Sequence, residues 1–554
     1  MDKPNVVIIM TDQQRADLCK REGFPLDTTP FLDLLARRGV WFNKAYTSMP
    51  VCAPARVSML TGRWPSAHRV RTNHNIEDAY YTEDLFDVFR RHGYSTALIG
   101  KNHSHLSPEK CDFWFECGHL GIHGDGLSQQ ERAFNKWMEE THFHMSLEPT
   151  PFPLECQIPY RLVSKAEEWV KSIGRRPFLL WLSFPEPHNP YQVPEPYWSM
   201  FPPEILPLPR ADESTLEVKG FKYCWCRACF ELAFPGFKEQ IPRARASYLG
   251  MLRLLDDQIS RFVEFLDAQR LLENTIIVFL SDHGDFVGEY GLLRKGPGLA
   301  EVLVRIPLQF FGPGIRRIEN PHPAHVSIVD IMPTLCEAVG IQLPDGVQGR
   351  SLWPLLTGEG YPEGEFNSAY VEHGFGGLHY TGDEDLDPTA DGLTVSTFDG
   401  SCTLDKANWG AFDCLNSWTQ SGTMAMVRKE DWKLIFDMDG REQLYNIIDD
   451  PLELYDFSTV LAQGVSNNVS ALKNDLEEVL VRCAGMRGKE FARRLCHNGI
   501  SSIAMLCRVE RELIGEMLKW RLRVQDSLPL PRRRYVLKRH PRGYWEAQSS
   551  NYCT

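Results

Sequence analysis

Polar side chains follow an apolar segment near the amino terminus, at the point where a buried strand is expected to end. The β-branched run from Asn5 to Met10 reads as such a strand, and Asp12 and Gln13 follow it directly. A carboxylate and an amide oxygen leaving a central strand suit a hard cation such as Ca²⁺, whose ligands are oxygens. The alternative is an ordinary turn at the strand end, where Asp is common.

A second polar group lies far downstream and has the same relation to a strand. The apolar run from Thr275 to Leu280 ends in the sequence SDHGD, which contains Asp282 and His283. Two buried strands therefore deliver polar residues at their carboxyl ends. Open α/β sheets place their sites at this edge, so we expect a functional site there.

Cys52 opens the run CAPARVSMLTGR, in which proline and Arg56 follow the cysteine at close spacing. Taken alone, Cys52 could be a buried free thiol, since free cysteine is among the most buried residue types. The run resembles the signature of the type I sulfatases of the alkaline phosphatase superfamily, in which this cysteine is oxidised to formylglycine by a formylglycine-generating maturation enzyme. The resemblance implies that the nucleophile is one hydroxyl of the hydrated aldehyde, which attacks the sulfur of a sulfate ester. The second hydroxyl later expels the sulfate and regenerates the aldehyde.

The same resemblance implies a ligand set for one divalent cation per chain: Asp12, Gln13, Asp282 and His283. Gln13 stands where many relatives carry a second Asp, and His283 stands where many carry Asn. An imidazole ligand allows Zn²⁺ or Mn²⁺. We favour Ca²⁺, because the other three proposed ligands are oxygens.

A sulfate ester needs positive charge around its oxygens, and this charge must hold more tightly as the ester bond breaks. Three further elements could supply it, and they occur in the family's order. Lys101 and His103 lie in GKNH after the strand-like STALI, His188 lies in SFPEPHNPY after FLLWL, and Lys295 ends GLLRK. The resemblance makes all four candidate sulfate contacts, with His188 also a candidate proton donor to the leaving alcohol. The fork of Arg56 suits the diol or a neighbouring carboxylate.

Each of these residues also has a simpler interpretation when it is taken alone. A single lysine is usually a solvated surface charge, and a single histidine near prolines is usually a loop residue. Their joint order on successive strand ends favours the catalytic role. His105 and Asn73 lie beside these elements, and they could shape a sugar pocket or be ordinary polar loop residues.

Composition agrees with a large enzyme rather than a nucleic-acid-binding protein. The chain has 554 residues, 43% hydrophobic content and a net charge of −13, so it lacks the overall positive charge that phosphate binding favours. No segment has the apolar length needed to span a bilayer. The amino terminus carries no signal-sequence pattern, and the 15 cysteines fit a reducing compartment. We therefore expect a cytoplasmic protein, with a removed secretory signal as the open alternative.

The alternation of strand and helix patterns from residue 5 to about 345 favours a large, mainly parallel sheet with helices on both faces. The resemblance makes this an alkaline phosphatase-like α/β fold. We expect a catalytic domain at 1–365, a smaller C-terminal α+β subdomain at 366–485 with an antiparallel sheet and a loop insert, and a helical and basic extension at 486–554.

The function expected from the resemblance is hydrolysis of sulfate esters, with glycosaminoglycan-type oligosaccharides as the first substrate class. The alternative is a phosphonate monoester or phosphodiester hydrolase of the same superfamily, which shares the formylglycine and an Asp-Gln start. Lys101 and His103 disfavour that alternative, because those enzymes lack the pair at the equivalent element. A non-catalytic binding protein with unmodified Cys52 is disfavoured because every candidate residue is intact. The oligomeric state is left open.

Overall fold

The computed structural model describes residues 3–141, 143–376, 422–437, 440–458 and 475–477, and two further strands at 535–539 and 545–549. The loop insert expected within the smaller subdomain spans 374–422, of which 377–421 lie outside the described residues. The part of the C-terminal extension expected to be helical, around 503–522, and its basic run at 532–534 also lie outside them. The strands are β1 Asn5–Asp12, β2 Val40–Phe42, β3 Ala45–Tyr46, β4 Ser95–Gly100, β5 Phe113–Glu116, β6 Phe178–Pro187, β7 Thr275–Ser281, β8 Leu308–Phe311, β9 Val326–Ser327, β10 Ser368–Gly376, β11 Gly422–Lys429, β12 Trp432–Asp437, β13 Glu442–Asn446, β14 Tyr535–Arg539 and β15 Trp545–Ser549.

Helices occupy most of the connections between these strands. The α-helices are α1 Pro30–Ala36, α2 Cys52–Thr61, α3 Pro65–His68, α4 Leu85–Arg91, α5 Gln129–Glu140, α6 Ile158–Ile173, α7 Tyr197–Met200, α8 Leu216–Lys219, α9 Phe221–Ala233, α10 Phe237–Ala268, α11 Glu301–Val304, α12 Ile331–Ala338 and α13 Trp353–Thr357. Short 3-10 turns lie at Lys20–Glu22, Ile76–Asp78, Pro108–Lys110, Leu154–Cys156, Pro203–Ile205, Glu213–Thr215, Leu272–Asn274, Glu289–Gly291 and Ile328–Asp330.

A seven-stranded sheet in the order β2-β8-β7-β1-β6-β4-β5 forms the centre of the fold. The run from β7 through β1, β6 and β4 to β5 is parallel, and β8 is antiparallel to both β7 and β2. The expected large, mainly parallel sheet is therefore confirmed. Because β1, β4, β6 and β7 run in one direction, their carboxyl ends at Asp12, Gly100, Pro187 and Ser281 meet at one edge.

The central strand β1 is buried on both faces, which explains its continuous apolar sequence. Val6, Ile8 and Met10 pack into a core with residues of α2, α4 and α12, while Val7 and Ile9 pack into a second core with α1, α6 and α10. Successive side chains of a strand point to opposite faces, so β1 contributes to both cores. Helices therefore cover both faces of the sheet, as the alternation predicted.

A second sheet, in the order β10-β11-β12-β13, is antiparallel and confirms the expected smaller sheet after the main one. Its strands share a core with Leu299 and Val304. The ammonium of Lys433 on β12 is fully buried and pairs with Glu301 at 3.1 Å and with Glu453 at 2.5 Å. Apolar contact and buried charge thus attach this sheet to the segment after β7, in the unit Met1–Ala492.

The strands β14 and β15 form an antiparallel hairpin in a separate unit, Arg493–Thr554. The expected domain boundaries at 365 and 485 stay predictions. Among the described residues, none of the helices combines the length and the apolar composition needed to cross a bilayer.

Gly100 is the last residue of β4, at the edge where the polar residues gather, and its backbone leaves no room for a side chain. Its φ is 115°, and an added Cβ would overlap the backbone oxygen of Ser183 on β6. We expect Gly100→Ala to lower the free energy of unfolding by about 3 kcal/mol, the combined effect of left-handed strain and overpacking. Gly93 has a φ of 79° but open space around it, so Gly93→Ala should cost only about 1 kcal/mol. Urea unfolding measures the free energy of unfolding of both variants. An equal decrease in the two variants would contradict this account.

Candidate active site

The carboxyl edge of the main sheet brings together the polar residues that sequence analysis selected. Asp12 ends β1, Lys101 follows β4, His188 follows β6 and Asp282 follows β7. Each of these side chains is at least nine-tenths buried. The parallel direction of the four strands explains why residues up to 270 positions apart in sequence meet in one place.

Cys52 is the first residue of α2, which directs its side chain toward this edge. Its sulfur lies 3.2 Å from Nε2 of His283 and 3.7 Å from Oδ1 of Asp12. The preceding Val51 gives no side-chain cap to the helix, but the amide of Ala53 donates to Oδ1 of Asn73 at 2.9 Å. Asn73 therefore caps α2 from a distance. A role in shaping a sugar pocket stays a prediction for Asn73.

Arg56, one turn after Cys52, joins α2 to two strand ends. Its Nε donates to Asp282 at 2.9 Å, and its second terminal nitrogen donates to Asp12 at 3.2 Å. The remaining terminal nitrogen donates to the Ser183 hydroxyl at 2.8 Å and to the Lys101 carbonyl at 3.0 Å. The guanidinium is fully buried and every nitrogen is used, so it holds both carboxylates in fixed positions.

Four side chains at this edge could hold a metal ion: Asp12, Cys52, Asp282 and His283. Their ligand atoms lie within 4.8 Å of one another, and all four residues are buried. Nδ1 of His283 lies 2.9 Å from the Gly284 carbonyl oxygen, so it carries the proton and donates, which leaves the Nε2 lone pair facing the other ligand atoms. Two carboxylates with an oriented imidazole fit a divalent cation.

The protonation of these groups follows from burial and from their neighbours. Burial would raise the pKa of Asp12, but Lys101 and the other nearby cations hold this pKa well below its usual value, so Asp12 is ionised at neutral pH. Burial would lower the pKa of His283, whereas the carboxylate of Asp282 raises it to about 9 without a cation. Binding of a metal requires Nε2 to be unprotonated, so metal and proton compete at this ring.

Gln13 lies beside these four residues, and hydrogen bonds hold both its backbone and its side-chain amide. Its backbone N–H donates to Oδ1 of Asp282 at 3.0 Å, and its Nε2 donates to Oδ2 of Asp285 at 2.6 Å. The same Asp285 oxygen accepts the hydroxyl of Tyr191 at 2.7 Å. With Nε2 held by Asp285, Oε1 of Gln13 faces Lys295, whose Nζ lies 3.2 Å away. Asp285 is the last residue of the SDHGD run, and no role was predicted for it from the sequence.

Lysines and histidines form the wall next to the carboxylates. Nζ of Lys101 donates to Oδ2 of Asp12 and to Nε2 of His119, which lies 2.8 Å away. Nζ of Lys295 donates to Nε2 of His188 at 3.1 Å. The pKa of His103 lies well below its usual value. Burial is the main cause, and the positive charges of the neighbouring Lys101 and Arg56 lower this pKa further.

Two groups at this wall received no role from the sequence, namely the half-buried His119 and the buried Glu186. His119 lies in the loop directly after β5, a strand that is parallel to β4 and ends at the same edge. That relation was the available signal, since the sequence GHLG follows an aromatic strand. Burial raises the pKa of Glu186 to about 8, so its carboxyl is mostly protonated at neutral pH and does not offset the cations.

His105 contacts Asp84 and Tyr81. Its Nε2 lies 3.0 Å from Oδ2 of Asp84, and its ring packs against Tyr81 with centroids 4.4 Å apart. Asp84 is itself the amino-terminal cap of α4 and an ion-pair partner of Lys110. These contacts give His105 a role in holding the start of α4.

The family model described as Sulfatase matches residues 4–341 of the chain. The chain belongs to the sulfatase family. The resemblance drawn from the Cys52 run is therefore confirmed, and this sulfatase is a sulfuric ester hydrolase. An arylsulfatase from Clostridium perfringens (strain 13 / Type A) is 32% identical over 414 residues, which cover 68% of this chain and 82% of that relative.

Solved structures share the fold at lower sequence identity. The phosphonate monoester hydrolase from Silicibacter pomeroyi superimposes with a TM-score of 0.68 at 21% identity, covering 87% of this sulfatase and 96% of that chain. A protein solved with D-glucosamine-2-N,6-O-disulfate as its substrate superimposes with a TM-score of 0.62 at 18% identity, covering 88% and 98%. Sulfatase and phosphonate hydrolase chemistry thus occur on one architecture, so the fold alone does not choose the substrate.

The contact between Gln13 and Asp285 predicts that Asp285 supports metal binding without being a ligand. In Asp285→Ala the amide of Gln13 loses the acceptor that orients it, so we expect the affinity for Ca²⁺ or Mn²⁺ to fall about tenfold to a hundredfold. Asp285→Asn keeps an oxygen for Gln13 and should lose less. Calorimetric titration of the metal-stripped protein measures both.

Tyr191→Phe is the matched control for this titration, because it removes another hydrogen bond to the same Asp285 oxygen without touching Gln13. Its metal affinity should stay close to that of the parent. If Asp285→Ala bound both cations as tightly as the parent, the proposed support of Gln13 would be wrong.

Proposed function

We propose that this sulfatase hydrolyses sulfate esters of carbohydrates, of the glycosaminoglycan oligosaccharide type, through a formylglycine made from Cys52 and with one bound Ca²⁺. The observation that carries the proposal is the position of Cys52. Its sulfur lies at the junction of two buried carboxylates, an imidazole and the lysine wall. A thiol that served only to pack the core would have apolar neighbours.

The first step joins the residue at position 52 to the sulfate ester. One hydroxyl oxygen of the hydrated formylglycine forms a bond to sulfur, the bond from sulfur to the ester oxygen breaks, and the alcohol leaves with a proton. In the second step the other hydroxyl gives up its proton, the aldehyde C=O forms again, and the carbon–oxygen bond to sulfate breaks. Arg56 lies one helical turn away and holds Asp12 and Asp282 in place throughout.

Four side chains are proposed to hold the sulfate: Lys101, His103, His188 and Lys295. The ammonium groups of Lys101 and Lys295 are at most 4% exposed, so little water screens their charge. Cations fixed in a buried site stabilise negative charge that develops on oxygen atoms, and they need no reorganisation during the reaction. Breaking a sulfate ester bond places negative charge on oxygen atoms, so the reaction needs cations of this kind.

His188 is proposed to give a proton to the leaving alcohol. Its Nδ1 lies 2.6 Å from the backbone oxygen of Asn189, to which it donates, so only Nε2 is available for the transfer. Nε2 accepts from Lys295 at 3.1 Å, which places an ammonium proton next to the ring atom that must supply one. Geometry of this kind suits a general acid.

Asp12, Gln13, Asp282 and His283 are proposed to hold the cation. When bound, Ca²⁺ would act as a Lewis acid next to residue 52. Three of the four proposed ligands offer oxygen, which is the donor that Ca²⁺ prefers. His283 is the ligand that distinguishes Ca²⁺ from Mn²⁺, so the two titrations described for Asp285 also compare the two ions.

The carbohydrate class is supported by a likeness to a sugar sulfate enzyme. The structure solved with a disulfated glucosamine covers 88% of this chain. The competing proposal is hydrolysis of phosphonate monoesters or phosphodiesters, which the likeness to the Silicibacter pomeroyi enzyme and the Asp12-Gln13 start favour. Sulfate monoesters and phosphodiesters carry one negative charge each, so charge alone does not separate the two proposals.

The first test is release of inorganic sulfate or phosphorus product from a panel of esters. The panel contains sulfated mono- and disaccharides, choline sulfate, 4-nitrophenyl sulfate, a phosphodiester and a phosphonate monoester. The protein is co-produced with a formylglycine-generating enzyme, and mass spectrometry confirms conversion of Cys52. We expect turnover to be greatest on a sulfated sugar and to vanish in Cys52→Ala. Preference for the phosphorus esters would support the competing proposal, and preference for choline sulfate would reject the sugar.

Substitution of Lys101 tests whether the lysines and histidines of this wall bind sulfate or only support the fold. Lys101→Ala removes a buried ammonium from the proposed sulfate contacts, so we expect kcat/KM on sulfate esters to fall about a hundredfold to a thousandfold. Lys136→Ala is the matched control, since Lys136 is exposed on α5. Rates are compared at equal formylglycine content, with the thermal unfolding midpoint as a check of the fold. An unchanged rate in Lys101→Ala would place the sulfate elsewhere.

A further inference from the structure

We propose that His119 is a positioning residue for the reaction, and that one ring performs two separable tasks. Its Nε2 holds the ammonium of Lys101, and its face holds the ring of His188. The inference rests on the proposed roles of Lys101 and His188, and it adds a residue that the signature motifs do not contain.

The contact with Lys101 has a defined direction. An ammonium group can only donate, so Nε2 of His119 accepts at 2.8 Å, and the ring is neutral with its proton on Nδ1. Lysine carries its charge at the end of a flexible four-carbon stem. Lys101 donates to two acceptors, the Asp12 carboxylate and Nε2 of His119. His119 is therefore a second anchor for the ammonium, in addition to Asp12.

The contact with His188 acts on the ring face rather than on its nitrogens. The two imidazole rings are stacked, with centroids 3.9 Å apart and planes inclined by 26°. The edge of the His188 ring is already held at both nitrogens, by Asn189 and by Lys295. Stacking removes the remaining freedom, which is rotation of the ring out of its plane. The atom that faces the leaving alcohol is thereby fixed.

The loop that carries His119 is built to be rigid. The amide of Gly118 donates to the carbonyl of Gly121 at 3.0 Å, which closes a tight turn around His119. Asn135 on α5 donates to the carbonyl of Ile122 at 2.7 Å and ties the turn to a helix. Gly121 has a φ of 140°, and an added Cβ would meet the side chain of Asn135. A ring on such a turn can position its neighbours.

The two tasks predict different kinetic consequences. Loss of the acceptor for Lys101 weakens the hold on sulfate, so KM rises for every sulfate ester. Loss of the stacking partner misplaces the proton donor, so kcat falls most for esters whose leaving group needs protonation. Displacement of a catalytic group by about 1 Å can reduce a rate about a hundredfold. Substitution of a residue that only supported the fold would lower kcat/KM equally for all of these esters.

The experiment compares three variants on 4-nitrophenyl sulfate, which has a good leaving group, and on phenyl sulfate, which has a poorer one. His119→Ala loses both contacts, and we expect kcat/KM to fall about a hundredfold on phenyl sulfate and about tenfold on 4-nitrophenyl sulfate. His119→Gln keeps an oxygen acceptor for Lys101, so it should restore KM but not kcat on phenyl sulfate. His119→Phe keeps the stacking, so it should restore the ratio of the two rates while KM stays high.

His123→Ala is the control, because His123 is exposed in the neighbouring part of the chain. Its rates should match those of the parent on both esters. The inference is overturned if His119→Ala stays within about twofold of the parent, or if the three variants lose equal activity on both esters together with a lower unfolding midpoint. If instead Lys101→Ala and His188→Ala both keep parental rates, it is the proposed function of the wall that fails.

Discussion

Arg56 is a fully buried cation between two buried carboxylates, and the geometry of the site depends on it. Asp12 and Asp282 end neighbouring parallel strands and would repel each other if nothing lay between them. A guanidinium offers its donors in a rigid planar fork, so it can pair with both and still reach Ser183 and the Lys101 backbone. Removing one partner from such a buried group costs about 3–5 kcal/mol, because the other charges are left uncompensated.

The same contacts place residue 52. Cys52 and Arg56 lie on one helix, one turn apart. When Arg56 binds the two carboxylates, Cys52 is therefore placed next to Asp12, Asp282 and His283. The spacing of Cys52 and Arg56 in the run CAPAR therefore sets the position of residue 52. Asn73 accepts from the amide of Ala53 in the first turn, which compensates for the absence of a capping side chain at Val51.

The sequence predicted a large, mainly parallel sheet with polar residues at its carboxyl edge, because local patterns and the family resemblance indicate both. Apolar runs such as Asn5–Met10 end in polar residues, and parallel strands bring such ends together. His119 was missed because its one sequence signal, a place shortly after an aromatic strand, is weak, and the position of β5 beside β4 is what brings it near Lys101. Asp285 was left without a role for a similar reason, since its partner Gln13 is distant in sequence. Asn73 and His105 show the converse, where a polar residue beside a motif serves the fold.

The charges at the site explain how an acidic protein can attract an anionic ester. The net charge of the chain is −13, so attraction must come from the local arrangement. Gln13 replaces the second Asp that the resemblance places in many relatives, which removes one negative charge from the proposed metal ligands. Burial raises the pKa of Glu186 to about 8, so its carboxyl is mostly protonated and adds little negative charge at neutral pH. Asp12 and Asp282 are balanced by the proposed divalent cation. The three charges of Arg56, Lys101 and Lys295 then exceed the single charge that Asp285 can carry, which leaves a surplus of positive charge. Since that surplus is buried, salt screens it little, and a singly charged sulfate ester meets a site whose positive charge is not cancelled by the acidic surface.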